Sequence, residues 1–274
     1  FISNNDLSIQ SNYEYAASQY DVDNLIEYHI AQIFVMNFDW PGNNNKLFKS
    51  KSADGKWRHI MFDSDFGFER WTDLLIGYIG SYESYNMLDH AYGDGNVFNN
   101  PTWATSIFTS FLDNPGFREQ FINTYCDRIN TTYSTENTLY LMDSLKTIIE
   151  PYVLDHINRY GPNIYDTYTP NNISQYNSAI QLMTNFASYR PDNARNEMVE
   201  IFDLDGTSNN ISIYTNDIEM GYVRLNSLNI NKQGWSGKYF SDVKITVSSQ
   251  NLQDNNFANQ TPQNNILSNV KNII

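Results

Sequence analysis

Cysteine occurs once in this chain, at Cys126, so no disulfide framework can form within it. The thiol lies inside a helical pattern, where a buried and inert side chain is expected. Basic residues are also scarce. Seventeen Lys and Arg face 31 Asp and Glu, for a formal charge of −14 and a pI near 4.5. That balance argues against nucleic acid as a partner, because such binding rests on neutralising phosphates. A phosphate-bearing ligand would need a metal ion between it and this surface. No apolar run approaches the ~20 residues that span a bilayer, and no signal-peptide pattern opens the chain. A soluble protein with no transmembrane segment is expected. The chain starts at Phe1 rather than Met, as a processed or excised piece would. With 20 Tyr, many Asn and few Lys, the composition suits an extracellular or cell-surface bacterial protein.

Hydrophobic periodicity divides what is present. Residues from about Leu7 to Tyr20 have helical character. Asp21 reads as the N-cap of a stronger helix to about Met36, with Val22, Leu25, Ile26, His29 and Ile33 on one apolar stripe. Pro41-Gly42 and three Asn residues end that pattern in a loop. Two strand-like runs follow, Lys46 to Lys49 and Trp57 to Phe62. The Asp54-Gly55 pair between them signals a hairpin. Glu69 to Pro101 is irregular and rich in Gly, Tyr, Ser and Asn, which is common in functional segments. Helices are expected at Trp103 to Leu112, Gly116 to Asn130 and Thr135 to Tyr160, the last kinked or divided by Pro151. Two more are expected at Ser174 to Tyr189 and Asp192 to Phe202. After Asp203-Leu204-Asp205-Gly206, alternation replaces the helical period in Ile211 to Tyr214, Tyr222 to Leu225 and Val243 to Val247. The expected organisation is a helical domain over 1–204, a small β-domain over 205–249, and an Asn/Gln-rich tail or linker over 250–274.

The chemistry concentrates at the end of the second helix and the far end of the hairpin. Phosphoryl transfer needs an Asp near the attacking hydroxyl, and an Asn and an Asp to hold the metal ions that bridge the phosphates. Asp39 and Asn44 are five positions apart, the separation found in a protein-kinase catalytic loop, and Asp65-Phe66-Gly67 repeats the kinase metal-binding triplet. The bland alternative is that Asp39 and Asn44 stabilise a turn through local backbone hydrogen bonds, with Asp63 and Asp65 flanking a strand end.

Taken together, three motifs resemble the signature of the CotH family of spore-coat-type kinases. They are Asp23-Asn24-Leu25-Ile26-Glu27-Tyr28, Asn37-Phe38-Asp39-Trp40-Pro41-Gly42-Asn43-Asn44, and Lys56-Trp57-Arg58-His59-Ile60-Met61-Phe62-Asp63-Ser64-Asp65-Phe66-Gly67. They cover roughly residues 20–70, and Asn114-Pro115-Gly116-Phe117-Arg118 and Arg190-Pro191 are similar in kind. The resemblance implies an α+β fold: a protein-kinase-like C-lobe, mainly helical with an active-site β-hairpin, followed by a small all-β, sandwich-like domain. It implies transfer of the ATP γ-phosphoryl group to Ser or Thr hydroxyls of a protein substrate, with Mg or Mn. Asp39 would be the catalytic residue that accepts the substrate hydroxyl. Asn44 and Asp65 would serve the nucleotide and its metal, with Asp63 a further metal ligand and Asn45 a reserve for the amide.

The 38 residues before Asp39 contain no Lys, Arg or Gly, whereas a kinase nucleotide lobe needs a strand Lys and a phosphate-covering loop. The expectation is that the chain begins inside the kinase domain or that this member has lost the lobe. Two rival readings remain: a non-catalytic surface or adhesion module, and a glycoside hydrolase in which Asp39 pairs with Asp63 or Asp65. The four His show no zinc spacing. Asp203 to Gly206 lacks the Glu of a calcium loop, since Tyr214 holds the twelfth position, and it reads as a turn. The Asn-X-Ser/Thr triplets are unremarkable in a chain this rich in Asn.

Overall fold

A computed structural model describes residues 1–69, 81–93, 99–161 and 170–251. The protein is α+β. Helix α1 (Gln10–Gln19) leads into α2 (Val22–Phe34), whose first turn is capped by the Asp21 carboxylate accepting from the Asn24 N–H at 3.1 Å. Helix α2 is central and buried on most sides. Leu25, Ile26, Ile30 and Ile33 pack with Phe108, Phe111, Phe117, Phe121 and Phe186 from three later helices. Each such side chain contributes roughly 1.5–3 kcal/mol by leaving water.

Strands β1 (Lys46–Lys49) and β2 (Trp57–Ile60) form the hairpin, in register Lys46 to Ile60 through Lys49 to Trp57. Its loop runs over residues 50–56, with the Gly55 N–H donating to the Ser52 carbonyl at 3.0 Å. The outer edge of β2 is closed by α2: the Asn24 side chain accepts from the His59 N–H at 2.6 Å and donates to the His59 carbonyl at 3.3 Å. An Asn side chain thus replaces a third strand and locks the hairpin to the central helix.

Within the segment expected to be irregular, Met87–Tyr92 forms α3, capped by the Asn86 side chain accepting from the Asp89 N–H. Six residues are too few for a periodic pattern to show. Residues 70–80 and 94–98 of that segment, including Trp71, lie outside the described residues. Helices α4 (Thr102–Leu112) and α5 (Pro115–Ile129) follow, α5 opening with the Asn114 cap and Pro115 in its first turn. Cys126 is buried on α5, and burial pushes its thiol up to about 12.

Helices α6 (Thr135–Tyr160) and α7 (Ile173–Phe202) form a long antiparallel pair. Neither is divided by its proline, against the expectation of separate helices on either side of Pro191; of the two outcomes expected at Pro151, a kink or a division, the division does not occur. The reason is local at Pro191. A proline there frees the carbonyl four residues back, Ala187, and the Thr135 hydroxyl donates to that oxygen at 2.9 Å. At Pro151 the residue four back, Thr147, is exposed, where water can serve its carbonyl.

Asp203 ends α7 in the left-handed region, and Asp205 accepts from the Thr207 N–H at 2.7 Å, so this acidic run is a turn. Five strands follow: β3 (Ser208–Tyr214), β4 (Gly221–Leu225), β5 (Leu228–Ile230), β6 (Gly234–Phe240) and β7 (Val247–Asn251). They make an antiparallel β3–β6 pair and a three-stranded sheet ordered β5-β4-β7. The last strand starts at Val247, where the run Val243 to Val247 was expected. The Thr246 N–H and carbonyl bond instead to Asn226, each at 2.8 Å, and the Lys244 carbonyl accepts from Asn123 of α5. Most of the expected tail, residues 252–274, lies outside the described residues.

The β-strands are anchored on α5 through the buried Asp127. Its carboxylate accepts from the Ser227 N–H at 2.8 Å, the Ser227 hydroxyl at 2.6 Å and the Tyr239 hydroxyl at 2.6 Å. Trp235, Tyr239 and Phe240 join the same hydrophobic core as the helices.

Candidate active site

Asp39 sits half-buried just beyond the end of α2, at the centre of an amide clamp. Its Oδ1 accepts from Asn43 Nδ2 at 2.7 Å and Asn99 Nδ2 at 3.2 Å, and its Oδ2 accepts from Asn44 Nδ2 at 2.8 Å. The Asn44 amide nitrogen also reaches the Asp63 carbonyl at 3.2 Å, and the buried Asn37 donates to that same carbonyl at 3.4 Å. One backbone oxygen at the head of the second acidic segment is therefore held by two Asn residues of the first. With its nitrogen so engaged, Asn44 could offer only Oδ1 to a ligand.

Asp63 and Asp65 are both exposed. Their segment is pinned at Gly67 and Phe68. The Phe68 N–H donates to the Val35 carbonyl at 2.9 Å, and a Cβ on Gly67 would lie 2.7 Å from that same oxygen. Only glycine permits this approach, so Asp65-Phe66-Gly67 lies directly against the C-terminal end of α2. Asn45 has a buried Oδ1 without a hydrogen-bond partner.

Further residues hold the loop from behind. His90 is buried, with Nε2 2.9 Å from the Trp40 carbonyl and Nδ1 2.9 Å from the Tyr85 hydroxyl. Burial lowers it to about 4. The carbonyl requires a donor, so Nε2 carries the proton and Nδ1 accepts from Tyr85. The Trp40-Pro41 peptide bond is cis. The Gly42 N–H donates to the Asn99 carbonyl at 2.8 Å, and a Cβ on Gly42 would lie 2.2 Å from Asn99 Oδ1. At the end of α2, the guanidinium of Arg190 donates to the Ile33 and Phe34 carbonyls at 2.9 and 2.8 Å and pairs with buried Glu197. It thereby caps the helix that delivers the loop.

Backbone strain collects here. Of the eight non-glycine residues with positive φ among the described residues, Met36, Asn44, Asp63, Phe68, Glu69 and Asn99 belong to this region. Each costs on the order of 1–3 kcal/mol, and such residues cluster where geometry serves function.

The structure thus brings Asp39, Asn44 and Asp63 into one hydrogen-bonded knot with Asp65 on its adjoining turn. Among the described residues no three His, Cys, Asp or Glu side chains form a metal-holding group. The available donors are mixed: the Asp63 and Asp65 carboxylates and the Asn44 and Asn45 amide oxygens. Hard oxygen donors of this kind suit Mg or Mn, and the orphaned Asn45 oxygen is compatible with a ligand. Sequence reasoning missed Asn99 and His90. The Asn99-Asn100-Pro101 turn was a signal only in hindsight, because nothing local ties it to residue 39.

Residues 1–194 match the family model described as CotH kinase protein, and the chain belongs to that family. No curated protein and no solved structure matches it. No helix among the described residues is long and apolar enough to cross a membrane.

Proposed function

We propose that this protein is a CotH-type kinase that transfers the γ-phosphoryl group of ATP to a Ser or Thr hydroxyl of a protein. The observation that carries the reading is the double tether of the Asp63 carbonyl by Asn37 and Asn44, which couples the Asp39 loop to the Asp63–Asp65 turn. In this reading Asp39 orients the acceptor hydroxyl and receives its proton as oxygen attacks the γ-phosphorus. The bond to the β-phosphate oxygen breaks, and ADP leaves. Asn43 and Asn99 hold the Asp39 carboxylate in one orientation, so little reorganisation accompanies the attack. Asn44 Oδ1 with Asp63 and Asp65 would hold Mg or Mn, and Asn45 is the reserve ligand. A bound divalent ion would neutralise phosphate charge, which an acidic protein with few cations cannot do alone.

We read residues 1–204 as a kinase-like C-lobe and the strands after 205 as an accessory sandwich-like module. The composition favours an extracellular or bacterial cell-surface setting. The test is phosphate transfer by the full-length protein with Mg or Mn. Asp39→Asn and Asp65→Asn should each lower it roughly 100- to 10,000-fold, with circular dichroism unchanged. Full activity in both variants would refute the assignment.

A further inference from the structure

Helix α6 has two apolar faces, and only one is covered. Thr138, Met142, Val153 and Ile157 are buried or half-buried on the first. Leu141, Leu145, Ile148 and Tyr152 form a second stripe, at spacings of four, three and four, and are 49%, 62%, 65% and 69% exposed. This is the d-a-d-a pattern of a coiled-coil seam, the periodicity that keeps one narrow face turned toward another helix. Nothing among the described residues packs over it. Ile149, 48% exposed, widens the stripe.

We propose that this face is the interface with a second copy of the same chain, paired antiparallel about a two-fold axis near residues 146 and 147. The seam is self-complementary in that arrangement. Leu145 meets Ile148 of the other copy, Leu141 meets its Tyr152, and the two-fold axis repeats both contacts. The charged residues within the stripe's length, Asp143, Lys146 and Glu150, fall at positions f and b, turned away from the seam. The e and g positions are Met142, Ser144, Ile149 and Pro151, all uncharged, so no like-charge pair opposes self-association.

The size also fits. The exposed part of the seam is on the order of 500 Å², at the upper range for a patch on a monomer. Pairing two copies removes on the order of 1,000 Å² in total, where specific interfaces begin. A lipid surface is a poorer match, because α6 carries Glu136, Asp143, Glu150 and Asp155 against only Lys146 and Arg159, and membrane-surface helices are rich in cations.

Sedimentation equilibrium of the whole 274-residue chain, from about 1 to 100 µM, tests this. The expected result is a concentration-dependent rise toward twice the chain mass of 31.8 kDa. Leu145→Asp with Ile148→Asp should hold the mass at one chain throughout, with the wild-type Tm at the lowest concentration, where both proteins are monomeric and both side chains are exposed. Tyr214→Asp, at a site 77% exposed on the β-module, should dimerise as the wild type does. Leu145→Cys with Ile148→Cys should give a covalent dimer on mild oxidation. A wild type that stays monomeric at 100 µM overturns the proposal, including one that is monomeric but co-sediments with phosphatidylcholine vesicles. So does a dimer that survives both aspartates. A large Tm change in the aspartate variant at that lowest concentration would mean that the stripe is covered within a single chain, and would overturn the proposal equally.

Discussion

Asn99 reaches across sixty positions to place its side-chain amide 3.2 Å from Asp39 Oδ1 while its own carbonyl accepts the Gly42 N–H. One residue therefore fixes both the proposed catalytic carboxylate and the backbone three residues beyond it. Because Asn99 has a φ of 60°, Asn99→Ala would confound loss of the amide with left-handed strain of about 1–2 kcal/mol. Asn99→Gly removes the amide without that strain. A hydrogen bond to a charged group contributes about 1.5–3 kcal/mol. Asn99→Gly should therefore lower kcat for phosphate transfer roughly 10- to 100-fold, with the KM for ATP nearly unchanged and Tm shifted by only a few degrees. An unaltered kcat would show that the clamp does not serve Asp39.

Acid should destabilise the fold well above the carboxylate range. Burial lowers His59 and His90 to about 4 and His29 well below its usual value, His59 adding to the effect on His29. These imidazoles are neutral when folded. As pH falls below 6.5 the unfolded chain takes up protons that the folded chain refuses, and stability drops, down to about pH 4 on account of His59 and His90 and further on account of His29. Glu69 acts in the opposite sense, because burial and nearby Glu83 raise it to about 7, so its protonation favours the fold as pH falls from 7. Three histidines outweigh one carboxyl. His59 stacks on Tyr28 at 4.4 Å, and its buried Nδ1 has no partner. His59→Phe should keep the packing and recover on the order of 2–3 kcal/mol at pH 4. Urea melts of wild type and variant between pH 7 and 4 would show parallel curves if His59 does not titrate this way.

What could be read from the chain in advance follows the distance between interacting residues. The Asp21 cap and the hairpin depend on neighbours within a few positions, and their pattern was legible. The continuity of α7 was not, because the carbonyl freed by Pro191 is served by Thr135, 52 positions from Ala187. The start of β7 was misplaced for the same reason: Asn226 and Asn123 claim the backbone of residues 244–246 from distant loops and helices. Asp39 and Asn44 could be picked out by their spacing. The Asn99 and His90 contacts that orient them come from a stretch with no periodicity to mark it.

The junction between helices and strands rests on one carboxylate. Asp127 collects the Tyr239 hydroxyl and both polar groups of Ser227, so Asp127→Ala strands several donors in a buried place. Each unsatisfied group costs about 1–3 kcal/mol. Tyr239→Phe removes one bond and leaves the ring packing intact. Asp127→Ala should therefore lower the unfolding free energy by at least ~3 kcal/mol, and Tyr239→Phe by roughly half as much. Trp235 is buried beside Tyr239, with ring centroids 6.3 Å apart, and of the five Trp it alone lies in the strands after residue 205, so the fluorescence lost on Trp235→Phe reports the strand side. In Asp127→Ala it should melt before the helical circular dichroism signal. Coincident melting at the wild-type temperature would mean that the strands are held by apolar packing alone.

Arg190 separates stability from geometry. It is fully buried, pairs with Glu197, and donates to the last carbonyls of α2, two residues before the loop that begins at Met36. Arg190→Met leaves the Glu197 charge buried without its partner, at a cost of about 3–5 kcal/mol. Adding Glu197→Leu removes that charge, and an apolar pair of similar volume should restore most of the stability. It cannot restore the cap on Ile33 and Phe34. The double variant should thus melt near the wild-type temperature and still transfer phosphate at least 10-fold more slowly, since α2 no longer ends where Asn37 needs it. Recovery of both stability and activity would assign Arg190 to the ion pair alone, while recovery of neither would mean that its donors to the helix end dominate the fold itself.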